Sequence, residues 1–405
     1  MTDISKKTGK KVLMIAPTPF FSDRGTHIRI LEEALALTRR CFSVTIATYH
    51  IGQDLPEPFS SQVEVRRIRR LLFWYKKLEA GPDWQKVILD LMLIRKVFFL
   101  ARTTQPDVLH GHLHEGVLIG WIVQKALFWR KMSLVADFHG SLTREMVSHA
   151  YLRTGLLRRL FEWVERVIDD LGDQAVTSSW RNTREISALR KKNTPTTVPD
   201  GVGTDGEETL DFPRAALRRK YGIPEDALVV TYTGALVANK GIRHFVNAIP
   251  QILIGDARAH VVVAGFPWNE VAPYFEGKGW MDRVTPITPL PYFSLREILA
   301  MSDVGIDPKE EGVGQASGKM LQYMGAGLPV VCFDTENNRE YLADGGEYAR
   351  EISGTGLSDA VLRLLRDPEL RKRKGAANHA RAKEKFSWDR TGEILEGVYT
   401  SLSLK

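Results

Sequence analysis

Two successive series of short apolar runs, each run followed by a helical stretch, constrain this chain more than any other feature. In the first series the runs are Lys11 to Pro17 (KVLMIAP), Ser43 to Thr48 (SVTIAT), Asp107 to His110, Ser133 to Phe138 (SLVADF) and Ala175 to Ser178, with Gln62 to Ile68 a further candidate. They lack apolar–polar alternation, as strands covered by helices on both faces do. Between them apolar residues recur at helical spacing: Ile30, Leu31, Ala34, Leu35 and Leu37 mark one face of a helix over 26–40. Helices are also predicted near 84–102, 116–129, 152–171 and 180–189. Such alternation predicts a parallel, doubly wound sheet.

The pattern breaks at Asn193 to Phe212 (NTPTTVPDGVGTDGEETLDF), which is rich in Pro, Gly, Thr and Asp and reads as an interdomain linker. A second series follows, with strands at 228–234, 260–265, 283–286, 304–308 and 330–333 and helices at 241–253 and 292–301. The tail, 376–403, reads as two helices broken around Phe386-Ser387-Trp388. A chain of 405 residues is long for one core. The expected organisation is α/β, with two Rossmann-like domains at 1–195 and 213–385, a linker at 196–212 and a terminal helix at 386–405.

The first residues, MTDISKKTGKK, lack the apolar centre of a signal peptide, and no run approaches the ~18 apolar residues of a membrane span. A cytoplasmic location is expected. Cys41 and Cys332 stand far apart in apolar contexts, read as reduced thiols, and have no metal-ligand spacing. The net charge of +7 gathers where Arg66, Arg67, Arg69, Arg70, Lys76 and Lys77 crowd around Leu71, Leu72, Phe73, Trp74 and Tyr75. Such a stretch fits an anionic membrane surface, with the protein peripheral on its inner face. It equally fits a solvated basic face whose apolar side packs on the domain. Nucleic acid is the weakest reading and is not expected as a partner.

The densest chemistry lies in Lys309 to Asp334 (KEEGVGQASGKMLQYMGAGLPVVCFD). Adjacent carboxylates, Glu310 and Glu311, precede a loop containing Gly312, Gly314 and Gly318 that opens a helix. A glycine-rich loop entering a helix presents free N–H groups and the positive end of the helix dipole, which favours phosphate. Lys319 adds a point charge there, and carboxylates accept hydrogen bonds from hydroxyls. Phosphate beside hydroxyls describes a nucleotide sugar. In the first half, Gly25 stands in the loop after the first strand, either as a turn glycine or where backbone approaches a ligand closely. His110, His112 and His114 end a later strand, and alternation sends His110 and His112 to one side. With no nearby Cys or carboxylate pair to complete a set, no metal site is predicted.

The order and spacing of these motifs, from Val12 to about Tyr399, resemble retaining glycosyltransferases of the GT-B fold, glycosyltransferase family 4 in particular. Glu311-Gly312-Val313-Gly314 and Met324-Gly325-Ala326-Gly327-Leu328-Pro329-Val330-Val331 are similar to the two ends of that family's donor segment. The family's second Glu falls on Gln322, and Glu311 and Gln322 are eleven apart, a wider spacing than the family's. A gapped alignment keeps Glu311 as the first Glu; an ungapped one puts Gly314 there. Gly234 and Lys240 resemble a Gly-Arg-Leu…Lys-Gly element in which Arg and Lys hold the donor diphosphate, but Ala235 replaces the Arg, with Arg243 and Lys319 as substitutes. Ala136 to Ser141 resembles the segment whose His contacts the transferred sugar, here His139. Asp200-Gly201-Val202 and Phe386-Ser387-Trp388 resemble the segments by which the family's chain leaves and rejoins its first domain.

The resemblance implies two domains facing across a cleft and a retaining transfer from a nucleotide-diphosphate sugar to a saccharide or lipid-linked acceptor, in cell-surface polysaccharide or glycolipid synthesis. It implies His139 and Glu311 as catalytic, and Gly25, Gly234, Lys240, Gly318, Lys319 and Gln322 at the donor. His112 and His114 would lie near the cleft. No metal and no cofactor are implied beyond the donor substrate. The alternatives are a nucleotide-sugar epimerase of the same fold and a non-catalytic nucleotide-sugar-binding protein. A dinucleotide oxidoreductase needs a triple glycine that 17–27 lacks.

Overall fold

A computed structural model describes residues 9–77, 83–148, 152, 155–203, 213–310 and 317–402. The chain forms two compact units, one running to Gly201 and taking back the terminal helix Trp388–Leu402, the other running from Val202 to Ser387. Each is a Rossmann-like domain built on one parallel sheet, the arrangement of the GT-B fold.

The first sheet contains β1 (Lys11–Ala16), β2 (Ser43–Thr48), β3 (Glu64–Arg67), β4 (Val108–His112), β5 (Ser133–Phe138), β6 (Gln174–Thr177) and β7 (Thr196–Thr197). Their order is β3-β2-β1-β4-β5-β6-β7. β1 and β4 are neighbours although β2 and β3 intervene in sequence, so the winding reverses there. At such a reversal the loops leave in opposite directions and open a crevice at the strands' carboxyl ends. The runs without alternation are buried on both faces: four of six residues in β2 and five of six in β1 and β5 are buried. Helix Gly25–Arg39 packs against Trp388–Leu402, where Arg40 donates to Glu396 at 2.9 Å. On one sheet face, helices Trp84–Thr104 and Leu113–Ala126 cover Leu13, Ile15, Leu109 and Leu134.

The second sheet contains β8 (Leu228–Ala235), β9 (Ala259–Phe266), β10 (Val284–Ile287), β11 (Val304–Asp307), β12 (Val330–Phe333) and β13 (Gly346–Ala349), in the order β10-β9-β8-β11-β12-β13. Its winding reverses between β8 and β11. Helices Ile242–Gly255 and Gly354–Arg366 close a core of Val230, Tyr232, Phe245, Ile249, Val261 and Val361 on one face.

Several boundaries differ from the sequence reading. β7 lies inside the segment 193–212 read as linker, because Thr196 and Thr197 pair with Val176 and Thr177 at the sheet edge. Residues 204–212 lie outside the described residues. The helix expected over 152–171 spans Leu156–Asp169, and Leu142–Ser148 is a separate helix not anticipated. β13 and helices Glu336–Leu342 and Gly354–Arg366 were also not anticipated.

Candidate active site

In the first unit, chemistry gathers where β4 and β5 end. His110 and His112 point to the same side, as alternation requires, and their rings stack at 4.4 Å. Both face Asp137, the penultimate residue of β5, which is wholly buried. His112 Nδ1 and His139 Nε2 each stand 2.9 Å from Asp137 Oδ2. His110 Nε2 is farther, at 3.6 Å, and its Nδ1 is 2.5 Å from the Tyr399 hydroxyl. The charge opposite Asp137 is Arg29, on helix Gly25–Arg39. Its Nε and Nη2 donate to the two carboxylate oxygens at 3.3 and 3.2 Å, and its Nη1 donates to Val198 O at 3.0 Å and Asp200 Oδ1 at 2.6 Å. Glu33, one helical turn on, lies 2.8 Å from Nη2.

Burial alone would raise Asp137's pKa, but Arg29, with the surrounding imidazoles, holds it well below the usual carboxylate range. Burial instead pushes the Glu33 carboxyl up and keeps His110 and His112 neutral, His112 falling to about 3. His27 is likewise lowered to about 3, first by burial and then by Arg24. Ser22 N–H donates to its Nδ1 at 3.0 Å, which makes Nδ1 the acceptor nitrogen.

The sequence argument against a metal assumed that no carboxylate stood near His110 and His112. The fold corrects that premise: Glu33 and Asp137 come within 4.8 Å of both histidines. The positive charge among these groups is supplied by Arg29 itself. His114 stands apart from the Asp137 cluster. The chain turns at Leu113, at φ 61, and sends His114 to Asp169 at 3.2 Å and Glu165 at 3.7 Å, buried against Phe138. Burial opposes the charge of His114, but Asp169 and Glu165 outweigh it and raise its pKa. His112 is fully buried too, while His139, bonded to the same Asp137 oxygen, has a side chain that is 10% exposed. Gly25 opens its helix with nothing within 4 Å of where a Cβ would stand.

In the second unit, the carboxyl ends of β8 and β11 meet at the winding reversal. β8 ends at Gly234 and Ala235. Gly234 has φ +114, a conformation glycine adopts without strain. Gly241, at φ +74, opens helix Ile242–Gly255; a Cβ there would stand 1.8 Å from Pro308 O, so the two loops touch backbone to backbone. Lys240 closes the short turn Ala238–Lys240 and is half-buried. Helix Gly318–Gly325 begins beside this pair of loops. Its Ser317 hydroxyl does not cap the helix but donates to Asp307 Oδ2 at 2.5 Å.

Lys319 bends back under Gly234. Its Nζ lies 3.9 Å from the centre of the Tyr232 ring and 3.7 Å from Asp307 Oδ1, and it has no hydrogen-bond acceptor among the described residues. Burial lowers its pKa, and Asp307 offsets this only in part. A buried ammonium without an acceptor is costly until an anion arrives. Gly318 has open space where a Cβ would stand, and Gln322 is half-buried one turn further on. Glu311, Gly312 and Gly314 lie outside the described residues. Of the neighbouring carboxylate, Glu310 Oε1 pairs with His244 Nε2 at 2.6 Å.

Three residues central to this geometry, Arg29, Asp137 and Asp307, were not picked out from sequence. The two acids shared a legible signal, a carboxylate at the carboxyl end of an otherwise apolar strand. Arg29 sits on a helix face with Glu33 and gave none.

The comparisons with known proteins agree with this frame. Residues 227–367 match the sequence family described as glycosyl transferases group 1, and residues 24–198 match the glycosyl transferase 4-like domain. D-inositol 3-phosphate glycosyltransferase from Acidothermus cellulolyticus is 30% identical over 409 residues, covering 93% of this chain and 85% of that one. Alpha-D-kanosaminyltransferase from Streptomyces kanamyceticus is 27% identical over 198 residues, and there the match spans only half of the relative's length. Among solved structures, sucrose-phosphate synthase from Thermosynechococcus elongatus superposes with a TM-score of 0.77 at 17% identity, covering 98% of this chain and 99% of that one. A protein titled a putative UDP-N-acetylglucosamine 2-epimerase from Listeria monocytogenes superposes less well, with a TM-score of 0.61 at 14% identity over 98% of each chain. The chain belongs to the glycosyl transferase group 1 family. It is a glycosyltransferase, of GT-B fold, and the epimerase alternative is not favoured.

Proposed function

We propose that the protein is a retaining, metal-independent hexosyltransferase. It takes a nucleotide-diphosphate sugar on its second unit and passes the sugar to a saccharide or lipid-linked acceptor, in glycolipid or cell-surface polysaccharide synthesis. The observation that carries this is the Lys319 ammonium, buried without an acceptor among the described residues at the start of a helix and at the winding reversal. Helix N–H groups and that ammonium suit a diphosphate, and the site stabilises it most as negative charge develops on the leaving group. Lys319 thereby takes the part of the Arg that Ala235 replaces, with Lys240 beside it. Gly234 and Gly318 leave room for the phosphates, Gln322 accepts a ribose hydroxyl, and Glu311 orients the sugar. His139 contacts the sugar near the reacting carbon, and Gly25 lies at the donor. No Asp-x-Asp stands at a strand end, so the diphosphate charge is met by the two lysines and helix N–H groups, and no separate cofactor is required.

The names of relatives fit this reading. One solved neighbour is Anabaena HepE in complex with UDP, and a relative 25% identical over 304 residues is the phosphatidyl-myo-inositol mannosyltransferase of Mycobacterium leprae. Thermal shift and slow donor hydrolysis against a panel of UDP-, GDP- and ADP-sugars test it, using wild type, Lys319→Met and Glu311→Ala. One nucleotide sugar should stabilise the wild type and be hydrolysed by it, with binding weakened in the first variant and turnover lost in the second. A protein indifferent to every member of the panel sinks the reading.

The acceptor side includes a cytoplasmic membrane surface. Among the described residues no helix is long and apolar enough to cross a membrane. Helix Leu156–Asp169 turns Glu165 and Asp169 inward, to His114, pairs Glu162 with Arg158, and exposes Leu156, Leu160, Trp163 and Val167 with Arg159 and Arg166 beside them. In the basic segment, Leu72 and Tyr75 pack inward while Leu71, Phe73 and Trp74 stay exposed beside Arg66, Arg69, Arg70 and Lys76. Apolar rings among cations suit an anionic lipid surface. Arg67 is excluded from this set, because its guanidinium donates to the carbonyls of Phe20, Ile51 and Gln53. Reversing the charge of Arg66, Arg69 and Arg70 should weaken cosedimentation with phosphatidylglycerol vesicles; unchanged binding removes the membrane from the proposal.

A further inference from the structure

We propose that Asp137 is the positioning residue of His139. Its carboxylate accepts a hydrogen bond from the Nε2–H of His139, and so leaves the other ring nitrogen, Nδ1, as the one that meets the substrate. The inference rests on the reading of His139 as the residue that contacts the transferred sugar.

The argument starts from the inventory of donors. An ionised carboxylate accepts hydrogen bonds and donates none. With His139 Nε2 at 2.9 Å from Asp137 Oδ2, Nε2 must carry a proton. Which nitrogen of a histidine acts is decided by what the other one is bonded to. Asp137 stays ionised despite complete burial because Arg29 bonds both of its oxygens. Arg29 cannot drift from that pose. The same guanidinium is bound to Val198 O and Asp200, and Glu33 flanks it.

Asp137 is also held from the other side. His112 Nδ1 donates to the same oxygen, and the His112 ring meets the His139 ring edge-on at 5.5 Å. The backbone is tied as well: Ser178 Oγ donates to His139 O at 3.2 Å, and Asn182 Nδ2 donates to Phe138 O at 2.9 Å. The buried histidines therefore act as walls. His112 holds Asp137, His110 stacks on His112, and His139, the one ring of the three with exposed surface, faces outward. A ring fixed in direction and tautomer loses less freedom when substrate arrives.

Nitrogen-15 correlation spectra of the full chain, with labelled histidine and the His139→Gln variant for assignment, read the tautomer directly in the wild-type protein. The expected result is His139 protonated at Nε2, with or without a second proton at Nδ1. A bare Nε2 with the proton on Nδ1 overturns the proposal, whatever the variants do. Asp137→Asn should lower kcat by about 10- to 100-fold, the scale of lost orienting partners, with donor KM little changed. Equal kcat for a folded Asp137→Asn protein counts against it decisively. His139→Gln separates the two layers: full activity there sinks the reading of His139 itself, whereas the reverse tautomer in an enzyme that needs His139 sinks only the role of Asp137.

Discussion

Each unit buries one cation against one aspartate at the carboxyl end of a strand, yet the two pairs are in opposite states. Arg29 faces Asp137 of β5 with its bonds filled: both carboxylate oxygens, the Val198 carbonyl and Asp200 all accept from it. Its pKa is raised, because three carboxylates outweigh its burial. Lys319 faces Asp307 of β11 at 3.7 Å with no acceptor in hydrogen-bond range among the described residues, and burial lowers its pKa. A cation whose donors are satisfied inside the protein holds the fold. One left wanting an acceptor is prepared for a ligand. The first unit's cation is satisfied within the fold, and the second unit's is the one proposed above to meet the donor diphosphate.

The largest effect should separate the pairs by stability. Arg29→Met leaves Asp137 buried and unpaired, and should cost about 3–5 kcal/mol in urea unfolding, the usual penalty for breaking a buried pair from one side. Lys319→Met should cost less, about 2 kcal/mol, since the pair is looser at 3.7 Å and Asp307 keeps the hydrogen bond from Ser317. Equal losses would break the comparison.

Activity should reverse the ranking. Lys319→Met should reduce kcat/KM by roughly 100- to 1000-fold, the scale of losing one group that stabilises developing charge. If donor kinetics survive the change, the unsatisfied ammonium is not the diphosphate site.

A pH series sharpens the point. A base with a lowered folded pKa binds fewer protons folded than unfolded, so stability rises with pH as Lys319 loses its proton. Affinity for a nucleoside diphosphate should fall over the same interval, which lies below the ordinary lysine value. Stability and affinity thus move in opposite directions. Calorimetric titration of wild type and Lys319→Arg checks this: the arginine stays charged, so its affinity should stay flat across that interval.

The smallest effects should come from two glycines. Gly25→Ala and Gly318→Ala meet no protein atom within 4 Å, so each should alter stability by no more than about 1 kcal/mol. Gly318→Ala should nevertheless weaken donor binding, because its open side is where the phosphates are proposed to lie. Melting curves that shift by several degrees would mean that the space is filled by the protein itself.

Much of the fold was legible because it is written in local terms. β2, β5, β12 and the helix Trp180–Leu189 were read with their observed bounds, and each is a compact apolar or periodic run. β7 was not legible: its two residues pair only because β6 is already in place beside them. The lysine of the second unit was legible because a glycine-rich loop before a helix is a local pattern. The hub of the first unit was not, because its members are far apart. Arg29 reaches Asp137 across 108 residues and Val198 across 169.

By itself, the sequence determined the two parallel sheets, the helix start that carries Lys319 and the strand ends where histidines would gather. These follow from periodicity, from the conformational freedom of glycine and from side-chain alternation, all properties of neighbouring residues. Only the tertiary structure decided which cation would be satisfied, which carboxylate would hold His139, and that His114 would turn away to Asp169. Those outcomes depend on desolvation and on donor–acceptor geometry, and both exist only once distant segments have packed together.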